Sequence, residues 1–238
     1  MLKIFVGYDN REPVAFDVLR HSIERHASQP VLVIPLEIQR LSEMGMMWRP
    51  YERDEAGLMR DVISDAPQST EFAISRFLVP SLCRSGWAIF MDCDMILMRD
   101  IHDILPLLDD SKAVMVVKHN QQPTESEKMD GQVQTAYPMK NWSSFVAWNC
   151  DHPANAMLTP AIVNSWRGLD LHQFRWLDVE DIGELPAAWN WLVNVEPQPE
   201  DCAVAHFTLG GAWFPTWEPQ PNDDLWLAEL ESMNGNPT

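Results

Sequence analysis

The stretch that constrains this chain most is AIFMDCDMILMRD, Ala88–Asp100. An apolar run of strand length ends directly on Asp92, followed by Cys93 and Asp94, before apolar residues resume. A run without polar alternation belongs to a strand covered on both faces, the setting of a central strand in an α/β sheet. Such a strand has no room for charge along its length, so the two acids mark its end. In open parallel sheets, ligands sit outside the C-terminal ends of the strands. Residues two apart share a face in an extended segment, so Asp92 and Asp94 can reach one cation. Without one, two charges about 4 Å apart repel by roughly 4 kcal/mol at an effective dielectric near 20. Either one carboxyl keeps a proton or a divalent ion lies between them. Oxygen ligands suit Mg²⁺ or Mn²⁺, and an added imidazole turns the choice toward Mn²⁺.

The rest of the chain supports such a sheet. LKIFVGYD reads as a buried strand ending on Asp9. Pro13 then opens a helix, where its fixed φ and missing N–H cost little. Ala15, Val18, Leu19 and Ser22 recur at the spacing of one helical face. VLVIPLEI is a second strand, and strand, helix, strand with short links predicts a right-handed βαβ unit. A further helix is expected from Ser69 or Thr70 through EFAISRFLVPSLC, kinked or shortened at Pro80. After the strand WAIFMD, Asp100 is placed to cap a short helix, IHDILPLL. AVMVVKH and SSFVAWNC read as strands, and ANAMLTPAIVNSW as a helix. Residues 40–70 lack clear periodicity and read as a loop or insertion over the sheet. Residues 120–137 read as a mobile polar loop. The last third, rich in Trp, Pro and acid, shows little regular pattern, and its tail holds one short amphipathic segment. The expected class is α/β, with a largely parallel sheet.

Composition excludes several functions. A net charge of −18 opposes binding to nucleic acid or to anionic membranes. No run approaches the apolar length of a membrane span, and no signal peptide is visible. Cys83, Cys93, Cys150 and Cys202 show no CxxC spacing and read as reduced thiols of a cytoplasmic protein.

A metal on Asp92 and Asp94 needs a third ligand from elsewhere. Of the seven histidines, His206 is the best placed, ending the apolar run of CAVAHFTLGGAW before a Gly-Gly turn. Its bland alternative is a satisfied core histidine. Asp92 and Asp94 have a bland alternative too, as strand-end acids capping the next helix, but Asp100 is better placed for that. Arg76, among the apolar residues FAISRFLVP, needs an acidic or phosphate partner, and an ordinary ion pair with an acid such as Asp100 would suffice.

Taken in order, IFVGYDN, SRFLVPSL, AIFMDCDMIL, SSFVAWNC, LPAAWNWL and HFTLGGAW resemble the landmarks of family 8 glycosyltransferases. The resemblance runs from Leu2 to Trp213. It implies a GT-A fold, Rossmann-like, with an irregular C-terminal acceptor region. It places one domain over residues 1–238: a nucleotide-sugar half at 1–120, an acceptor half at 121–217 and a tail at 218–238. It implies transfer of a hexose-type sugar from a UDP-sugar donor with Mn²⁺ or Mg²⁺, with retention, to a glycan, lipid-linked or protein hydroxyl. A homo-oligomer is compatible with it. Gly7, Tyr8, Asp9 and Arg11 would line the nucleotide pocket, with Arg76, Cys93, Ser143, Ser144, Gly210 and Trp213 also at the donor. Asp92, Asp94 and His206 would hold the metal. Arg76, Asp178 and Asp181 would stand near the reacting centre. The loops at 120–137 and 42–60 would close over the donor, and Trp189 and Trp213 would form the acceptor platform.

The chain departs from that family at four points. Gly210 follows His206 by four residues where three are usual, Ala212 stands where a lysine usually helps hold the diphosphate, no Pro precedes Trp213, and Val179 replaces a usual Gln. Two other readings stay open. FMDCDMIL also resembles the phosphatase motif of the haloacid dehalogenase superfamily, with Asp92 as nucleophile, and the missing lysine suits a catalytically degenerate sugar-binding protein.

Overall fold

The computed structural model describes residues 1–55, 58–120 and 139–235, with the backbone of two short strands between the last two spans. In chain order the elements are β1 (Leu2–Gly7), α1 (Pro13–His26), β2 (Val31–Leu36), α2 (Ile38–Glu43), β3 (Tyr51–Arg53), β4 (Met59–Asp61), β5 (Ala66–Gln68), α3 (Val79–Cys83), β6 (Trp87–Met91), β7 (Met95–Leu97) and β8 (Val114–Val116). They continue with β9 (Ser126–Glu127), β10 (Val133–Gln134), β11 (Phe145–Asn149), α4 (Pro160–Ser165), α5 (Gly168–His172), β12 (Ile182–Glu184), β13 (Trp191–Leu192), β14 (Val204–His206) and α6 (Asp223–Met233).

The central sheet has the order β12-β8-β11-β6-β1-β2. Only β11 runs against its neighbours; the β2-β1, β1-β6 and β8-β12 pairs are parallel. The reason the inner strands read as uninterrupted apolar runs is visible at once. Ile4, Val6, Ala88, Ile89, Phe90 and Met91 are all fully buried, so neither face of β1 or β6 meets water. Pro13 opens α1, whose Ala15, Phe16, Val18, Leu19, Ser22 and Ile23 face inward. Ser22 uses its hydroxyl twice, donating to Leu19 O at 2.8 Å and accepting from Leu97 N at 3.0 Å. That tie fastens α1 to the strand just after the DCD segment.

Four expectations change. The helix expected from residue 69 is instead a turn, a 3₁₀ segment (Ser75–Leu78) and the short α3. Pro80 has no N–H to give, so an α-helix can hold it only in its first turn, and α3 duly begins at Val79. The expected helix at 154–166 is likewise divided into a 3₁₀ turn and α4, which Thr159 caps and Pro160 opens. Within residues 40–70 lies a three-stranded antiparallel sheet, β3-β4-β5, too short for its period to register in sequence. The irregular last third contributes β12 to the central sheet and a second small sheet, β13-β14-β7. Its α6 packs on α1, where Arg25 pairs with the buried Glu229.

Most tryptophans are structural. Trp148 and Trp176 stack at 6.2 Å with Phe77 edge-on to both. Trp189, expected on an acceptor platform, is only 4% exposed and lies against Phe145, so its indole has no face for a sugar. Asp100 caps the 3₁₀ segment Ile101–Leu107, as expected. Most of the loop expected at 120–137 lies outside the described residues.

The small sheet is fixed by a buried ion pair. Arg49 Nε and Nη2 donate to the two oxygens of Asp61 at 2.7 and 2.6 Å, and Nη1 reaches the carbonyls of Val163 and Trp166. Both side chains are almost fully buried. Replacing only Arg49 leaves an uncompensated buried charge, so Arg49→Met should cost about 3–5 kcal/mol in urea unfolding, much of it recovered in Arg49→Met/Asp61→Leu. Burial alone would raise the Asp61 carboxyl, but the Arg49 and Ser64 hydrogen bonds outweigh it and hold it below the ordinary value of 3.8. Its stabilisation is therefore complete above that pH and lost as pH falls through the lower folded-state value. In Arg49→Met the sign should reverse, because an unpaired buried carboxyl takes up a proton more readily. Unfolding curves between neutral and acid pH would read this as a shallower acid loss.

Candidate metal and substrate site

The site forms where β6 ends. Asp92, Cys93 and Asp94 come directly after its last residue, and β7 begins one residue later. β14 returns antiparallel to β7, with His206 opposite Met95, and Phe207 N donates to Asp94 O at 2.8 Å. That pairing carries a residue from the far end of the chain to the DCD turn. Ligand atoms of Asp92, Asp94 and His206 all lie within 4.8 Å of one another, and this is the cluster of three metal-ligating residues found among the described residues. His206 Nε2 is 3.4 Å from Asp94 Oδ1.

Arg76 closes the other side. Its Nη1 is 2.8 Å from Asp92 Oδ1 and donates to Ser143 O at 2.8 Å, while Nε donates to Ala73 O at 3.1 Å. The guanidinium also rests over the rings of Phe90 and Phe72, 4.8 and 5.4 Å from their centroids. Its partner is thus Asp92 rather than Asp100, and apolar faces and fixed acceptors leave it one position.

The state of His206 is set by hydrogen-bond direction. Ser144 Oγ donates to Asn141 O at 2.7 Å. It must then accept from Asn190 Nδ2, 3.0 Å away. That turns Asn190 Oδ1 toward His206 Nδ1 at 2.9 Å, and a carbonyl oxygen only accepts. Nδ1 therefore carries a proton, which turns Nε2 toward the carboxylates. With Nδ1 engaged by Asn190, Nε2 is the ring nitrogen presented to the cluster, and an imidazole nitrogen with two carboxylates suits a divalent metal. Ser144 serves both sides, since its carbonyl also accepts from Asp92 N at 3.0 Å. Asn141 sits in the left-handed region, as does Met139, an unusual conformation for Met and a mark of a constrained turn.

The remaining expected residues divide. Ser143 and Ser144 border the cluster, each 3% exposed, and Ser143 Oγ shares a 2.7 Å hydrogen bond with His172 Nδ1. Burial, then the Arg76 charge, pushes His172 down to about 3, so its ring is neutral. Asp9 is fully buried and saturated by Arg11 Nε, Nη2 and N and by Glu71 N. Those bonds outweigh burial and hold it below its ordinary value, leaving it to position Arg11 rather than to meet a ligand. Arg11, one-third exposed, also donates to Ser69 O. At Gly7 an added Cβ would lie 2.3 Å from the Phe72 ring, so packing accounts for the glycine. Tyr8 packs edge-on to Phe16.

Three expectations do not fit. Cys93 is 1% exposed, and burial and the surrounding carboxylates raise its thiol, so its side chain belongs to the core. Trp213 donates to Glu12 at 2.8 Å and packs, half-buried, among Phe207, Phe214 and Trp226 against a second core around Ile96, Trp191 and Trp226; Gly210, at φ +106°, supports the same turn. Asp178 and Asp181 precede β12, which runs parallel to β8 with Ile182 beside Val114. Val114 is level with Trp148 and, through it, with Ala88 at the start of β6. Both acids therefore lie at the sheet end opposite Asp92, and Asp181 faces His152. Asn190, His172 and Asn141 escaped the sequence reading. Asn190 stands within the landmark LPAAWNWL, the one signal that could have found it.

The fold and this cluster define the class: the chain has the GT-A glycosyltransferase fold. WbbM, a bifunctional glycosyltransferase, superposes with a TM-score of 0.60 at 14% identity, over 99% of this chain and 51% of WbbM. GlyE of Streptococcus pneumoniae superposes with 0.59 at 10% identity, over 97% of this chain and 61% of GlyE. An active-site mutant of LgtC gives 0.51 at 10% identity, over 97% of this chain and 96% of LgtC. The chain thus spans about half of WbbM and three-fifths of GlyE. In sequence it is 45% identical to Protein CDI of Arabidopsis thaliana over 98% of this chain and 87% of that protein, and it belongs to the same family. No family model matches it.

If Asn190 fixes the His206 tautomer, Asn190→Leu should weaken Mn²⁺ binding roughly 10–100-fold in calorimetry. Equal affinity in the variant would show that the hydrogen bond is irrelevant to the ligand.

Proposed function

We propose that this protein is a metal-dependent glycosyltransferase that moves a hexose-type sugar from a UDP-sugar to a hydroxyl acceptor, with retention. The observation that carries the reading is the Asp92–Asp94–His206 cluster, buttressed by Arg76, at the C-terminal end of β6 in a GT-A fold. The residue motifs that resemble family 8 supply the donor class and stereochemistry. The haloacid dehalogenase alternative finds no support, since the solved structures that share this fold are glycosyltransferases. No helix among the described residues is long and apolar enough to cross a membrane.

In this reading Asp92, Asp94 and His206 hold Mn²⁺ or Mg²⁺. The bound ion supplies positive charge for the diphosphate as the glycosidic bond breaks. Arg76 keeps the Asp92 carboxylate in a single orientation. The Ser144–Asn190 pair holds His206 Nδ1 as a donor and keeps Nε2 aimed at the cluster. Ser143 and Ser144 present the turn beside which the donor sugar lies, and Arg11 borders the nucleotide pocket. The acceptor hydroxyl attacks on the face the diphosphate leaves, and its proton passes to that leaving group.

A screen of UDP-sugars with Mn²⁺, read as UDP release, tests the proposal. Asp94→Asn and His206→Ala should each lower kcat/KM by roughly a hundred-fold or more. Full activity in both variants, or phosphate release from phosphomonoesters in place of UDP release, would overturn it.

A further inference from the structure

One buried group at this end of the sheet takes no part in the metal cluster. His119 lies three residues beyond β8, whose Val116 is level with Val146 and Phe90, so it emerges at the same sheet end as Asp92. Its side chain is 1% exposed. Nδ1 is 3.1 Å from Glu196 Oε1. A carboxylate accepts, so Nδ1 bears the proton and the neutral ring keeps a bare lone pair on Nε2. Burial keeps the ring neutral, outweighing the opposing pull of Glu196. Nε2 is itself buried and meets no hydrogen-bond partner among the described residues. A buried acceptor left in that state costs about 1–3 kcal/mol. Native structures hold few such groups, and each calls for an explanation such as a bound water, an ion, local strain or a catalytic role.

The surroundings tie the His119–Glu196 pair to the elements of the cluster. Trp142 Nε1 donates to His119 O at 3.1 Å, tying His119 to the turn whose Ser143 and Ser144 carbonyls hold Arg76 and Asp92. Glu196 is anchored to β13 by Trp191 Nε1, which donates to Glu196 O at 2.9 Å, and by its own N–H to Leu192 O. Leu192 is the residue beside His206 in the β13-β14 pair. The two elements that grip the His119–Glu196 pair are thus the two that grip the metal-ligating side chains.

We propose that His119, oriented by Glu196, binds the donor sugar, its Nε2 accepting a hydrogen bond from a sugar hydroxyl. The chemistry selects this ligand. An unprotonated imidazole nitrogen only accepts, phosphate oxygens only accept, and a cation is drawn to the carboxylates nearby. The donors of a nucleotide sugar are the base N–H and the hydroxyls of ribose and sugar, and of these the sugar hydroxyls are the ones that the nucleoside diphosphate alone lacks. The inference rests on the glycosyltransferase reading and deepens it.

The test monitors the histidine side-chain nitrogens of the full chain by long-range ¹H–¹⁵N NMR, with Mg²⁺ replacing paramagnetic Mn²⁺. UDP is added first, then UDP-glucose, UDP-galactose, UDP-xylose and UDP-N-acetylglucosamine in separate samples. His119 Nε2 should resonate as a bare nitrogen in the free protein and with UDP, and move to a hydrogen-bonded position with at least one UDP-sugar. No movement with any sugar, equal movement with UDP alone, or an Nε2 already hydrogen-bonded in the free protein would overturn the proposal. A chain that binds no UDP with Mg²⁺ would instead remove the glycosyltransferase reading, and this inference with it. His119→Ala should leave UDP affinity within about two-fold while lowering kcat/KM for the sugar donor about ten-fold. An unchanged kcat/KM would count against the contact, and the wild-type NMR result stands whether or not the variant folds.

Discussion

Two carboxylates close a strand that is buried on both faces, and the surrounding architecture is arranged around their charge. Asp92 is held by a guanidinium that apolar rings pin in place, and Asp94 by a backbone bond to the strand that delivers His206. The same turn at 141–144 accepts from Arg76 and from Asp92 N, and fixes Asn190. A change of a few tenths of an ångström in that turn would reach both sides of the cluster together. This explains why residues from five separate stretches of the chain converge there, with left-handed backbone at Met139 and Asn141. The local conformational cost is tolerated where packing over-determines the turn.

What could be read from sequence was what repeats or clusters locally. β1, β6 and α1 announce themselves because each buries a whole run or face, and composition shows that directly. The pair Asp92 and Asp94 was legible because charge at the end of an apolar strand is rare. His206 was legible only in company with them. Asn190 was not, because its role is directional: nothing in an Asn residue reveals which way its amide points until Ser144 and Asn141 are beside it. The error over Asp178 and Asp181 has a different source. Their acidity resembled a motif, but the parallel pairing of β12 with β8 decides which end of the sheet they occupy, and that register has no local signature.

The short elements were misread for a common reason. Pro80 and Pro160 can each sit only in the first turn of an α-helix, and the chain fills the stretch before each with 3₁₀ turns of no distinct period. Likewise, three-residue strands such as β3, β4 and β5 give one alternation each, too little to separate from a loop. Their place is set by the Arg49–Asp61 pair, a contact between residues that look ordinary in sequence.

The electrostatics of the sheet end clarify the departure at Ala212. Glu12, Asp9, Asp92 and Asp94 all bear on Cys93 and raise its thiol. Two guanidiniums stand among them, Arg11 on Asp9 and Arg76 on Asp92. Where a lysine is usual in family 8, Ala212 packs against the second core, and its neighbour Trp213 satisfies Glu12 with an N–H that carries no charge. Both guanidiniums are already engaged, so neither is fully available to a diphosphate. A divalent cation on Asp92, Asp94 and His206 would add two positive charges among these carboxylates. In such a site the metal, more than any basic side chain, makes the sheet end able to accept an anion. Dependence on the metal should then be stronger here than where a lysine shares the load.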